Sequence, residues 1–234
     1  MRRRPVLVLL VVLLVLAGLA VVADRVVVGI AEDRVARLIA ERGRLAGRPD
    51  VQIEGFPFLT QAVRGRYDDV RIALTAADLD QPAGTRADVS LRGVHVPLSD
   101  VLSGSVQEVP VEHVDGTVTL SYDLLAQRLG PGTTLAREGD GLRVQRTVEV
   151  AGVTVPLTAT GTIALDGDEI LFDVQDVSSE DEHVPDFIVD QASDLLDLRY
   201  GVPDLPFGLR VTGVSVADDG VDVAFSATDT VLRG

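Results

Sequence analysis

The stretch "VTVPLTATGTIALDGDEILFDVQDV", Val153 to Val177, sets the reading of the whole chain. On either side of Asp166-Gly167, apolar and polar residues alternate. A period of two puts alternate side chains on opposite faces of a strand. Asp-Gly favours the tight turns whose twist matches antiparallel neighbours. The stretch therefore predicts a β-hairpin. Working outward, "VQIEG", "DVRIALT", "ADVSLRGVHVPL", "GTVTLSY", "LRVQRTVEV", "FGLRVTGVSVA" and "VDVAFSA" repeat the alternation. Further Asp-Gly pairs stand at Asp115-Gly116, Asp140-Gly141 and Asp219-Gly220, each an expected turn. The body reads as an antiparallel meander with one solvated face and one face covered by helices, an α+β arrangement. Neither a GxGxxG nor a Walker loop occurs, so mononucleotide-binding folds have no support.

Three helical pieces interrupt the strands. "PLSDVLSG" (Pro97–Gly104) is one short turn or two. "SYDLLAQRLG" offers Ser121 as N-cap. The third spans Pro185 to Arg199 within "VPDFIVDQASDLLDLRY", with Pro185 suited to a first helical position. Ile188, Ala192, Leu195 and Leu196 form its apolar stripe, opposite Asp186, Asp190, Asp194 and Asp197.

The N-terminus differs from the rest. "MRRR" precedes an uncharged run from Pro5 to Ala23, close to the roughly 20 residues that cross a bilayer core. Arginines before the run predict a cytoplasmic N-terminus. A signal peptide is the rival reading, and both readings export the remainder of the chain. The expected division is residues 1–25 as transmembrane anchor or signal segment and 26–234 as one exported domain. The domain sits on the extracytoplasmic side of the plasma membrane, or is secreted to a periplasm-like space after cleavage. Behind the run, Ala31, Val35, Leu38 and Ile39 recur at helical spacing, with Gly43 and Gly47 as stops.

Composition excludes several functions. A net charge of −15 argues against nucleic acid as a partner. Without cysteine there is no disulfide, thiolate chemistry or lipoprotein attachment. Every basic residue is arginine, Asp outnumbers Glu, and Ala, Val, Gly and Leu abound. These residues have GC-rich codons, so a high-GC bacterial source, actinobacterial in type, is expected. His95, His113 and His183 form no metal-binding pair, and no nucleophile elbow is present. The acidic run "SSEDEH" (Ser178–His183) lacks the alternation of a calcium loop. No catalytic residue, metal or cofactor is expected, and the chain reads as non-enzymatic.

The apolar N-terminal run, "AEDRVARLIA", "VQIEGFPFLTQAVRGRYDDVRI", "VEHVDGTVTLSYDLLAQRLG" and "DLPFGLRVTGVSVADDGVDVAFSATDTVL" together resemble the LmeA-like phospholipid-binding proteins of actinobacteria. The motif is Gly55 to Gln61, followed by Gly65 and Tyr67. The resemblance implies a TULIP or BPI-like fold, in which a curved antiparallel sheet wraps a long helix. It implies a cell-envelope protein that binds phospholipid, phosphoinositide types included. It also suggests a link to lipomannan-type lipoglycan synthesis or lipid transport, beside envelope glycosyltransferases. A scaffolding partner of those enzymes, with a closed core, is the alternative.

Within the motif, Pro57 cannot donate a ladder hydrogen bond, which predicts an edge strand or bulge with Phe56 and Phe58 on one side. Those rings either rim a lipid groove or fill the core. The expected lipid-contact set is Phe56, Phe58, Leu59, Ile188, Ala192, Leu195 and Leu196, the acyl chains lying between the third helix and the sheet. Arg64 and Arg66 are the expected head-group residues, if not simply solvated.

Overall fold

The computed structural model describes residues 3–103, 106–150, 153–179, 198–202 and 204–233. Helix α1 (Arg3–Gly43) runs unbroken for 41 residues, about 60 Å at 1.5 Å per residue. From Leu7 to Val22 its large apolar side chains are exposed. From Asp24 onward one face turns inward, burying Val28 and Ala36 with Ala31, Val35 and Ile39 beside them. The apolar run and the amphipathic helix behind it are thus one element.

The strands follow as β1 (Asp50–Glu54), β2 (Arg66–Leu74), β3 (Arg86–His95), β4 (Glu108–Ser121), β5 (Thr133–Glu138), β6 (Gly141–Val150), β7 (Val153–Asp166), β8 (Glu169–Ser179), β9 (Leu198–Gly201), β10 (Arg210–Val216) and β11 (Gly220–Arg233). Short helices α2 (Phe58–Arg64), α3 (Ala76–Leu79), α4 (Leu98–Ser103) and α5 (Tyr122–Leu129) lie among them. All pairings are antiparallel, and the strands divide between two sheets. The six-stranded sheet has the order β1-β2-β3-β4-β11-β10; the five-stranded one is the meander β5 to β9. The C-terminal hairpin returns to pair with β4. Alternation alone does not reveal that return, because every hairpin reads alike.

Each sheet has its own core. Val51, Ile53, Val70, Leu91, Val111 and Val114 bury the first sheet's apolar face with α1. Leu142, Val144, Leu157, Ala159 and Phe172 form the second cluster. Tyr122 joins the two: it packs on the second cluster and its hydroxyl donates to the Ala217 carbonyl at 2.6 Å. Ser121 caps α5, accepting from the Leu124 amide.

The hairpin at Asp166 forms as expected. Asp166 pairs with Glu169 across a two-residue connection, with Gly167 at φ 59°. Chain reversals also occur at Asp140 and Asp219. Asp115-Gly116 is different. It lies inside β4, opposite Phe225, and a Cβ on Gly116 would stand 2.3 Å from the Phe225 ring. This glycine makes room for an aromatic ring instead of turning the chain.

Two other expectations are corrected. "GFPFLTQ" is not an edge strand: β1 ends at Glu54, the Phe56–Pro57 peptide is cis, and α2 begins at Phe58. The helix expected from Pro185 does not reach Arg199, because Leu198 and Arg199 pair with Phe172 and Leu171 as β9. Its stripe, Ile188, Ala192, Leu195 and Leu196, lies outside the described residues, as does His183.

Candidate functional site

The β1–α2–β2 connection is built from the motif residues themselves. Gly55 at φ 100° releases the chain from β1. Gln61, buried in α2, donates through Nε2 to the Glu54 carbonyl at 3.0 Å and accepts from the Asp68 amide at 2.8 Å. One side chain thereby replaces the hydrogen bonds that a tight turn would have made. Gly65 closes α2 in the left-handed region, its amide reaching the Ala62 and Gln61 carbonyls.

The two phenylalanines separate. Phe58 is 5% exposed and lies 6.0 Å from the Tyr67 ring, within the first core. Burial pushes the Tyr67 hydroxyl's pKa up. Phe56 is 57% exposed, with the Arg25 guanidinium 5.3 Å above its ring. Leu59 and Val63 are exposed on the outer side of α2, while Phe58 and Ala62 are buried on the inner side. Asp24, itself buried, accepts from the Leu59 amide at 2.9 Å and ties α2 to α1.

The expected head-group arginines also differ from each other. Arg66 donates to both carboxylate oxygens of Glu112 at 3.0 Å. The contact lowers the Glu112 pKa and raises that of Arg66. A phosphate at Arg66 has to displace that carboxylate. Arg64 is exposed and forms no ion pair among the described residues.

Beyond α1, the apolar inner face of the six-stranded sheet is only partly covered among the described residues. Ile72, Val89, Gly116 and Phe225 align in one cross-strand row over β2, β3, β4 and β11. Val109, Leu209, Ala227 and Leu232 continue the partly buried apolar surface. An open depression of 390 Å³ lies across the same strands, but Arg71, Asp88, Ser90, Asp115 and Thr117 in its lining alternate to the opposite, polar face of the sheet. A second hollow of 480 Å³ lies between α1 and β1 and has Arg25, Glu32, Asp33 and Asp50 in its walls. Its acids suit an anionic ligand poorly. Glu32 has a structural task there, accepting from the Ile53 amide on the outer edge of β1 at 2.8 Å.

The arrangement offers apolar contact and few reacting groups. His95 Nδ1 is 3.0 Å from the Gly93 carbonyl, and His113 is exposed on β4. Among the described residues, no three His, Asp or Glu side chains gather as a metal site.

The family model of LmeA-like phospholipid-binding proteins matches residues 22–226, most of the length. The chain belongs to the LmeA-like phospholipid-binding family. No curated protein and no solved structure matches it. The LmeA-like match begins at Val22, next to the last residue of the uncharged run, and runs into β11. Lipid binding is the activity that membership of the LmeA-like family supports. The inner-face row and the role of Asp24 were not found from the sequence. An isolated acid closing an apolar run was the one visible signal for Asp24.

Proposed function

We propose that this protein is a non-enzymatic phospholipid-binding protein of the cell envelope. It is anchored in the plasma membrane by residues 1–25, with residues 26–234 on the extracytoplasmic side. The observation carrying the reading is the partly covered inner face of the six-stranded sheet, where Val89, Phe225, Ala227 and Leu232 are neither buried nor fully exposed. An acyl chain laid along this face gains about 0.8 kcal/mol per buried methylene. Arg64, exposed and without an ion partner among the described residues, is the proposed contact for a phosphate, of phosphoinositide type or other. In this reading the lipid serves lipomannan-type lipoglycan synthesis or lipid transport, beside membrane glycosyltransferases in an actinobacterial envelope.

The test is lipid extraction and mass spectrometry of the purified full chain, followed by uptake of fluorescent phospholipid. Co-purified phospholipid and saturable uptake are expected. Ala227→Phe, which fills the face, is expected to retain cooperative melting and lose uptake. A well-folded chain that neither carries nor takes up phospholipid overturns the reading and leaves the scaffolding role.

A further inference from the structure

Among the described residues outside α1, the large apolar side chains with the most exposure are Phe56, Leu59, Val63, Leu98 and Phe207. Strand register places all five at one end of the six-stranded sheet. That end holds Glu54, Arg66, His95, Glu108 and Arg233, since Arg66 pairs with His95 and Arg233 with Glu108. Phe56, Leu59 and Val63 lie in the connection from Glu54 to Arg66. Leu98 opens α4, directly after β3, where the Val96 amide donates to the Gly65 carbonyl at 2.9 Å. Phe207 sits in the turn before β10, its carbonyl accepting from the Thr230 hydroxyl near the end of β11.

This is also the end at which α1 leaves the domain. Asp24 holds α2 through the Leu59 amide and directly follows the uncharged run that ends at Ala23. Val26, Val27 and Ile30 keep α1 apolar on its open side for about 9 Å more. Helix α2 itself is unusual for a surface helix. Its outward positions Leu59 and Val63 are as apolar as its inward Phe58 and Ala62. The outward Leu59 and Val63 stand one turn apart beside the exposed Thr60 and Arg64, an apolar stripe flanked by a cation that suits a lipid interface. Arg25 over Phe56 supplies an amphipathic cation and ring pair of the kind favoured at a bilayer interface. At this end Arg66 pairs with Glu112 and Arg233 with Glu108, and Arg64 has no ion partner among the described residues.

We infer that this end of the sheet is a membrane-docking surface, with Phe56, Leu59, Val63, Leu98 and Phe207 inserted into the interface of the bilayer that α1 crosses. The inference rests on reading α1 as a membrane span. Continuity with α1 selects the occupant, because the span brings the surface to the lipid boundary by covalent geometry. A protein partner or a second copy has no comparable claim. Docked in this way, the domain stands upright on the membrane, with the β2–β3 hairpin and α3 farthest from it.

The chain has no tryptophan, so one introduced tryptophan reports alone. Full-length chain is reconstituted into phosphatidylcholine vesicles with brominated acyl chains, carrying Leu13→Trp, Phe56→Trp, Val63→Trp, Phe207→Trp or Ala77→Trp. The expected result is bromine quenching at position 13 and at the three docking positions, with emission from the α3 position unchanged. Quenching at position 13 with docking positions that behave like position 77 overturns the docking surface and leaves the span intact. No quenching at position 13 overturns the span, and docking with it. Equal quenching at position 77 and the docking positions also overturns it, since the domain then lies flat.

Discussion

At the scale of single residues, Phe56 and Phe58 stand two positions apart and have different tasks. Phe58→Ala removes a buried ring from the first core and is expected to cost about 3–5 kcal/mol in urea unfolding. Phe56→Ala removes an exposed ring and should stay within about 0.5 kcal/mol. Equal losses would show that both rings are core. Gln61→Leu keeps the bulk but frees the Glu54 carbonyl and the Asp68 amide. Unpaired groups cost about 1–3 kcal/mol each where water cannot reach them, so a Tm drop comparable with that of Phe58→Ala is expected. Gly116→Val sets a side chain where Phe225 now lies, and overpacking of this kind costs about 1–3 kcal/mol. Phe225→Ala in the same chain should recover part of that loss. The sequence displays Gly116 as half of an Asp-Gly pair, a pattern that turn chemistry explains equally well. Its real constraint is a ring contributed from 109 positions later in the chain, between Gly116 and Phe225, which no local pattern encodes.

Among the elements, those with their own periodicity were the most legible. The strands around Asp166, Asp140 and Asp219 and the helix opening after Ser121 all carry their turn or cap residues with them. α2 was illegible because its stabilisers are distant: Asp24 receives its first turn, and Gln61 binds backbone on both flanking strands. β9 was hidden because its four residues come directly after an amphipathic pattern. The candidate site was hard to read for the same reason: Phe58 is buried in the core while Phe56 and Leu59 are exposed, and the inner-face row exists only once strands from opposite ends of the chain pair. α3 offers a pH test of a local element. Thr75 and Asp78 form a reciprocal cap, the Asp78 carboxylate accepting from the Thr75 hydroxyl at 2.7 Å and amide at 2.8 Å. Those bonds hold the Asp78 pKa below the usual carboxylate range. A depressed folded pKa gives stability that is present above the unfolded value, about 3.9, and is lost as pH falls through the folded pKa. Asp78→Asn should therefore be less stable than the parent at pH 7, with the gap narrowing below about pH 4 in urea titrations.

For the whole molecule, the acidity of the chain governs how it meets other membranes. With net charge −15, approach to anionic vesicles is opposed at low salt. Phospholipid exchange from vesicles carrying the full chain to anionic acceptors should accelerate when salt rises from roughly 10 to 150 mM, as the Debye length contracts from about 30 to 8 Å. Exchange with neutral acceptors should change little. An unchanged rate with anionic acceptors would remove charge from the encounter step.

The unbroken course of α1 also fixes a height. From Asp24 to Gly43 it extends about 30 Å beyond the apolar run, and no loop separates the two parts. With the span in place as proposed, the inner face of the six-stranded sheet is a fixture of one leaflet's surface, unable to wander off on a leash. Cargo must come to it by lateral diffusion or be collected by something that approaches. On the proposed reading the protein works as a loading berth, and any longer crossing belongs to a different carrier.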